Sequence, residues 1–222
     1  MLYLSLILAV ALGYGVAIGL KAKETTRFNL LLAFSGAFLL SVTLFEYLPE
    51  LQLQSDKRIG LFIMGGILLQ LILDFFSKGA EHGHIHIHAN SKQFPLALFI
   101  SLCIHALLEG IPVAENQHLL YGVLIHKVPI AAILAIFLIH SGYANWITLS
   151  FLTGFALMTP LGSFLSQQIT ELQEYLVYLN ALVVGIFLHV STTILFESNK
   201  NHSFNLIKLL TVIVAIAIAY SI

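Results

Sequence analysis

Runs of about 20 apolar residues, repeated eight times and separated by short polar connections, constrain this chain more than any motif in it. They fall at about 2–20, 29–49, 59–77, 95–114, 119–139, 145–165, 174–196 and 205–222. A helix needs roughly 20 apolar residues to cross the hydrocarbon core of a bilayer. Composition agrees: 59% of residues are hydrophobic and 9% charged, against about a quarter charged in soluble domains. The fold class expected is an all-α polytopic membrane protein. The first run lacks a basic leader and is longer than the ~7–15 apolar residues of a signal peptide, so it is expected to be a retained span.

The connections are too short to house a soluble domain, so residues 1–222 are expected to form one transmembrane domain, with a His-rich loop at 78–94. Lys21, Lys23, Arg27, Lys78, Lys92, Lys200 and Lys208 flank the odd-numbered connections, whereas Lys57 and Arg58 occupy the second. Cytoplasmic loops carry the excess of Lys and Arg. The odd connections are therefore predicted to face the cytoplasm and both termini the outside of a plasma or inner membrane. Net charge is −1, which argues against a nucleic-acid partner. The single Cys103 excludes an intramolecular disulfide.

Two segments hint at internal repetition. "GAFLLSVTLFE" (36–46) and "GIFLHVSTTILFE" (185–197) share Gly-x-Phe-Leu, a Thr seven residues after the Gly, and a closing Leu-Phe-Glu. They lie in spans predicted to run in opposite directions, the pattern of inverted repeats in transporters.

The stretch "SLCIHALLEGIPVAENQHLLYGVLIHKVPIA" (101–131) sets His105, Glu109, His126 and Lys127 within apolar sequence. His105 and Glu109 are four apart and share a helix face. The next span returns antiparallel after "ENQH", and at ~1.5 Å per residue Glu109, His105 and His126 lie roughly 11, 17 and 14 Å from the turn. Two imidazoles and a carboxylate at matched depth suit a borderline cation such as Zn²⁺ or Fe²⁺. A buried polar cluster bonded to itself is the competing reading, and intramembrane ionisable groups are functional candidates by default. Pro112 and Pro129 each free a carbonyl four residues earlier, beside Glu109 and His126 respectively. Such a backbone is tolerated at membrane depth where it lines a polar cavity.

"HALLEG" followed by "HKVPIA" resembles the paired motifs of the fourth and fifth spans in the ZIP family of divalent-metal transporters. His105, Glu109 and Gly110 match the family's His-x-x-x-Glu-Gly, and His126-Lys127 matches a His-Lys form of its second motif. Eight spans, "FEYLPE" closing the second, and a His-rich connection between the third and fourth extend the likeness. The resemblance implies a 3+2+3 inverted-repeat bundle and a transport site made by His105, Glu109 and His126. This sequence departs from binuclear members of the family at Ala106, Lys127 and Ile130, so one principal metal site is expected. Lys127 is expected to stand in for the second cation, holding Glu109 ionised and oriented; a structural ion pair has the same geometry.

Outside this stretch, His82, His84, His86 and His88 alternate in "HGHIHIH". In an extended segment they project to one side, as an auxiliary metal-binding loop. Glu46 and Glu50 close the second span, and His189 lies in the seventh; these are candidate pathway residues. Asp74 reads as interfacial. Gly13, Gly15, Gly65, Gly66, Gly154 and Gly162 let helix backbones approach.

The function these features support is divalent-metal transport, most directly zinc uptake through a single midplane site. Fe²⁺, Mn²⁺ or Cd²⁺ are alternative substrates, because His/Glu sites bind all of them. Expected partners are the metal ion and the lipid bilayer, with a homodimer admitted; no organic cofactor is expected. No G-x-x-x-x-G-K-[ST] loop is present for nucleotide chemistry. An intramembrane zinc hydrolase and a non-transporting metal sensor remain alternatives at this point, the first weakened by the lack of H-E-x-x-H.

Overall fold

The structure, a computed structural model, describes residues 1–19, 26–52, 56–77, 94–197 and 206–222. The histidines of the 78–94 loop lie outside the described residues. Among the described residues, seven helices are long and apolar enough to cross a membrane: the first at Leu2–Gly19, second at Phe28–Leu51, third at Arg58–Ser77, fourth at Leu96–Ala114, fifth at Gln117–His140, sixth at Asn145–Gln168 and seventh at Leu176–Phe196. A shorter apolar helix, the eighth, spans Leu206–Ser221. The chain is a polytopic all-α bundle.

Prolines shape the helices that matter most. Pro49 has no N–H to give and its ring would press on the carbonyl of Phe45. The second helix widens just before it into a π turn, Thr43–Tyr47, closed by the Leu48 N–H on the Thr43 carbonyl, and resumes as α-helix at Leu48–Gln52. The turn buries Tyr47 while leaving Leu44 and Phe45 outward. In the fourth helix the α-helical part ends at Gly110, and Pro112–Ala114 form a 3₁₀ turn. Asn116 then caps the fifth helix, its side-chain oxygen accepting from the Leu119 N–H at 2.9 Å. Pro129 and Pro160 are carried inside continuous fifth and sixth helices.

The most extensive helix contacts pair third with seventh, first with fifth, fourth with sixth, and second with eighth. Exchanging helices 1, 2, 3 and 4 for 6, 7, 8 and 5 converts third–seventh into eighth–second, and first–fifth into sixth–fourth. The repeated segments obey the same exchange. Thr43 donates to the Leu39 carbonyl at 2.7 Å, and its counterpart Thr192 donates to the Leu188 carbonyl at 2.6 Å.

Three of these pairings depend on glycine, first against fifth through Gly13, whose Cβ would strike the Val128 carbonyl. A Cβ on Gly66 would strike the Leu182 carbonyl and one on Gly185 the Ile63 carbonyl, locking third against seventh. Gly110 and Gly162 do the same for fourth against sixth, facing the carbonyls of Thr159 and Leu107. Gly15 and Gly65 meet nothing among the described residues, so only part of the glycine pattern reports close packing. Around these contacts, the outer surface stays oily: Leu4, Leu8 and Leu12 line one stripe of the first helix, and Leu61, Leu68 and Phe75 are exposed on the third. Lipid, not water, is the solvent such a face fits.

Candidate metal centre

Glu109, His105, His126 and Lys127 are all buried, at 1%, 3%, 3% and 1% exposure. Glu109 sits one residue before the close fourth–sixth contact at Gly110, so the sixth helix reaches it directly. Thr159 donates to Glu109 Oε1 at 2.7 Å. Lys127 of the fifth helix forms an ion pair with the same oxygen, and its Nζ stands 4.7 Å from the centre of the Phe155 ring, also on the sixth helix. Three helices thus hold one carboxylate, and Oε1 is committed to the lysine and the threonine.

The other oxygen, Oε2, faces His105 Nε2 at 3.5 Å. The far side of that imidazole is held by a chain of polar groups. His105 Nδ1 meets Gln70 Oε1 at 3.0 Å, Gln70 Nε2 donates to Asp74 Oδ1 at 2.9 Å, and His189 Nε2 meets Asp74 Oδ2 at 2.8 Å. The Asp74 carboxylate only accepts, so Gln70 must present its NH₂ to it and its carbonyl oxygen to His105. Nδ1 of His105 therefore carries the proton and donates to Gln70. In the neutral imidazole, Nε2 then has its lone pair toward Glu109 Oε2. Two donors on one tetrahedral zinc, with bonds of about 2.0–2.2 Å, stand roughly 3.3–3.5 Å apart. A ligating His whose other nitrogen donates to an acceptor oxygen is the usual arrangement at protein metal sites.

His126 is buried one residue before Lys127 and lies within electrostatic range of Glu109. Among the described residues, no three His, Cys, Asp or Glu side chains converge closely enough to hold a metal. His105 and Glu109 are in register, and the charge beside Glu109 is the Lys127 ammonium.

The remaining predicted residues divide between the two ends of the bundle. Glu46 pairs with His118 at 3.3 Å at the end carrying the second, fourth and sixth connections, the predicted outer end. Glu50 accepts from Asn116 Nδ2 at 3.3 Å there. His189 lies toward the opposite end with Asp74, which links third, fourth and seventh helices through Gln70 and His189. Gln70 and Thr159 carried no signal in the sequence reading. The clue lay in their spacing: Gln70 is one turn from Asp74, and Thr159 adjoins Pro160, whose ring leaves a gap in the helix ladder.

No family model matches this sequence. Among curated proteins the chain is similar to "Zinc transporter ZIP1" of Danio rerio, 28% identical over 123 residues, a match covering 50% of this chain and 40% of that protein. The chain thus spans less than half the length of that relative.

Proposed function

We propose, from the ZIP-family membership that the likeness to the Danio rerio transporter supports, that this chain is a membrane carrier for a divalent metal, zinc foremost. The cargo site is His105, Glu109 and His126, with Lys127 as a fixed charge beside it. The observation that carries this reading is the orientation of His105. The Asp74–Gln70 chain holds its Nδ1–H, leaving Nε2 at 3.5 Å from Glu109 Oε2, the spread two ligands take on a single zinc.

The metal would enter between Nε2 and Oε2 while Oε1 stays with Lys127 and Thr159, and His126, which does not converge with them in this structure, would swing in from the fifth helix to supply a third donor. Glu109 and Lys127 cancel each other's charge, so the cation meets a nearly neutral site in a medium of low dielectric. That moderates its affinity, and a carrier needs binding weak enough to release. Movement of the cargo is toward the cytoplasm and the termini face outward, on the family likeness and the distribution of basic residues. The histidine loop, His82 to His88, would bind metal released at the inner end.

Zinc flux into proteoliposomes tests the proposal. Uptake is expected in the intact chain and its loss in His105→Ala and His126→Ala; bound zinc without flux would refute transport in favour of a sensor.

A further inference from the structure

At the predicted outer end, remote from His105, the helices enclose a cavity of about 210 Å³ whose lining includes Tyr47, Glu50, Glu115, Asn116 and Asn180. Its rim is acidic: Glu50 and Glu115 are exposed, and Tyr47 feels the charge of both. Its interior is polar and incomplete. Tyr47 is 4% exposed and Asn180 9%, yet among the described residues the Tyr47 hydroxyl and the Asn180 Oδ1 have no hydrogen-bond partner. Buried polar atoms are ordinarily satisfied, and an orphaned pair in one cavity calls for an occupant.

The sequence accounts for how the groups meet. The π turn ahead of Pro49 swings Tyr47 inward, the 3₁₀ turn at Pro112–Ala114 brings Glu115 round, and the cap at Asn116 holds Glu50 through Nδ2. Asn180 comes from the first turns of the seventh helix. At about 30 Å³ per water in the liquid, the cavity has room for an ion that keeps several waters.

We propose that this cavity is a second, separate cation site, which takes a partly hydrated divalent ion on oxygen donors alone. Two carboxylates, a phenol oxygen and an amide oxygen make a hard donor set of the kind that binds Ca²⁺, Mg²⁺ or Mn²⁺. It therefore concentrates divalent cations at the mouth without selecting zinc, and selection falls to the His-containing site below. This use of the cavity rests on the carrier reading, but the binding itself does not.

Mn²⁺ binding to the purified full chain in uncharged detergent, followed by electron paramagnetic resonance, tests it. One class of bound Mn²⁺ is expected to be displaced by Ca²⁺ and to persist in the His105→Ala/His126→Ala protein. Glu50→Gln/Glu115→Gln should weaken that class by about tenfold or more, since carboxylate count tunes such sites. Tyr47→Phe, which keeps the ring and deletes one donor, should weaken it by a smaller factor, about threefold. Unchanged Mn²⁺ binding in either variant, or no Mn²⁺ that Ca²⁺ displaces, overturns the proposal. If zinc flux fails while this class behaves as stated, the carrier reading falls and the cation site stands.

Discussion

Replacing Lys127 by methionine removes a buried ammonium and leaves the Glu109 carboxylate in oil. Both side chains are 1% exposed, so water cannot take over. Removing one partner of a buried ion pair costs on the order of 3–5 kcal/mol, because the survivor is uncompensated. At about 2–4 °C per kcal/mol for a chain of this size, the melting temperature should fall by roughly 10 °C. Thr159 and His105 remain on Glu109 but bring no permanent charge. If Lys127 stands in for a cation, a cation should repair the loss: zinc should raise the melting temperature of Lys127→Met more than that of the native chain. Glu109→Gln in the same protein removes both charges and should recover most of the stability, exposing the coupling in a double-mutant cycle. The assay is thermal unfolding in detergent, with and without zinc. Equal stability of Lys127→Met and the native chain would refute the charge argument. A large loss that zinc does not repair would reduce Lys127 to a structural partner.

Asp74→Asn lets residue 74 donate as well as accept, so Gln70 can turn and His105 loses its fixed tautomer; zinc affinity by calorimetry should fall 10–100-fold, the usual effect of disturbing the partner of a ligating His. Gly162→Ala places a Cβ against the Leu107 carbonyl, an overpacking expected to cost about 1–3 kcal/mol and read as a lower melting temperature, whereas Gly65→Ala, facing open space, should leave it within about 0.5 kcal/mol of native. Asp56, in the second connection, is held down to about 2 by its hydrogen bonds from Arg58, with Tyr178 adding another. A depressed carboxylate contributes stability that is full above its unfolded value near 3.8 and is lost as the pH falls through about 2. Its carboxyl resonance in NMR should titrate near pH 2, and near the ordinary Asp value in Arg58→Ala.

The helices were legible because crossing a bilayer requires long apolar runs, and nothing else in a chain this short produces eight of them. The pairing of helices was less so. "GAFLLSVTLFE" and "GIFLHVSTTILFE" signalled the internal correspondence, but which glycines meet a backbone depends on helix rotation: Gly66 does, and its neighbour Gly65 does not. At the centre, the (i, i+4) spacing of His105 and Glu109 put both on one face, and the antiparallel return of the fifth helix brought Lys127 within reach of Glu109. Depth does not report rotation about the helix axis, so the same count could not say that Lys127, ahead of His126, closes on the carboxylate. Gln70 is silent in the sequence for a different reason. A lone amide in a span has no periodicity, and its role follows only from the carboxylate below it and the imidazole across from it.

The glycine contacts bear on where this molecule could bend. Third and seventh helices touch backbone to backbone, as do fourth and sixth, and first and fifth at Gly13, and such pairs cannot slide without collision. Each couple is in effect a single stiff plank. The seams that can part lie between planks, and the polar groups straddle those seams: Gln70 to His105 from third to fourth, Lys127 to Glu109 from fifth to fourth. A cation held between His105 Nε2 and Glu109 Oε2 would leave both clasps in place yet set a second positive charge beside the Lys127 ammonium, so occupancy would strain the fifth–fourth joint and favour its opening.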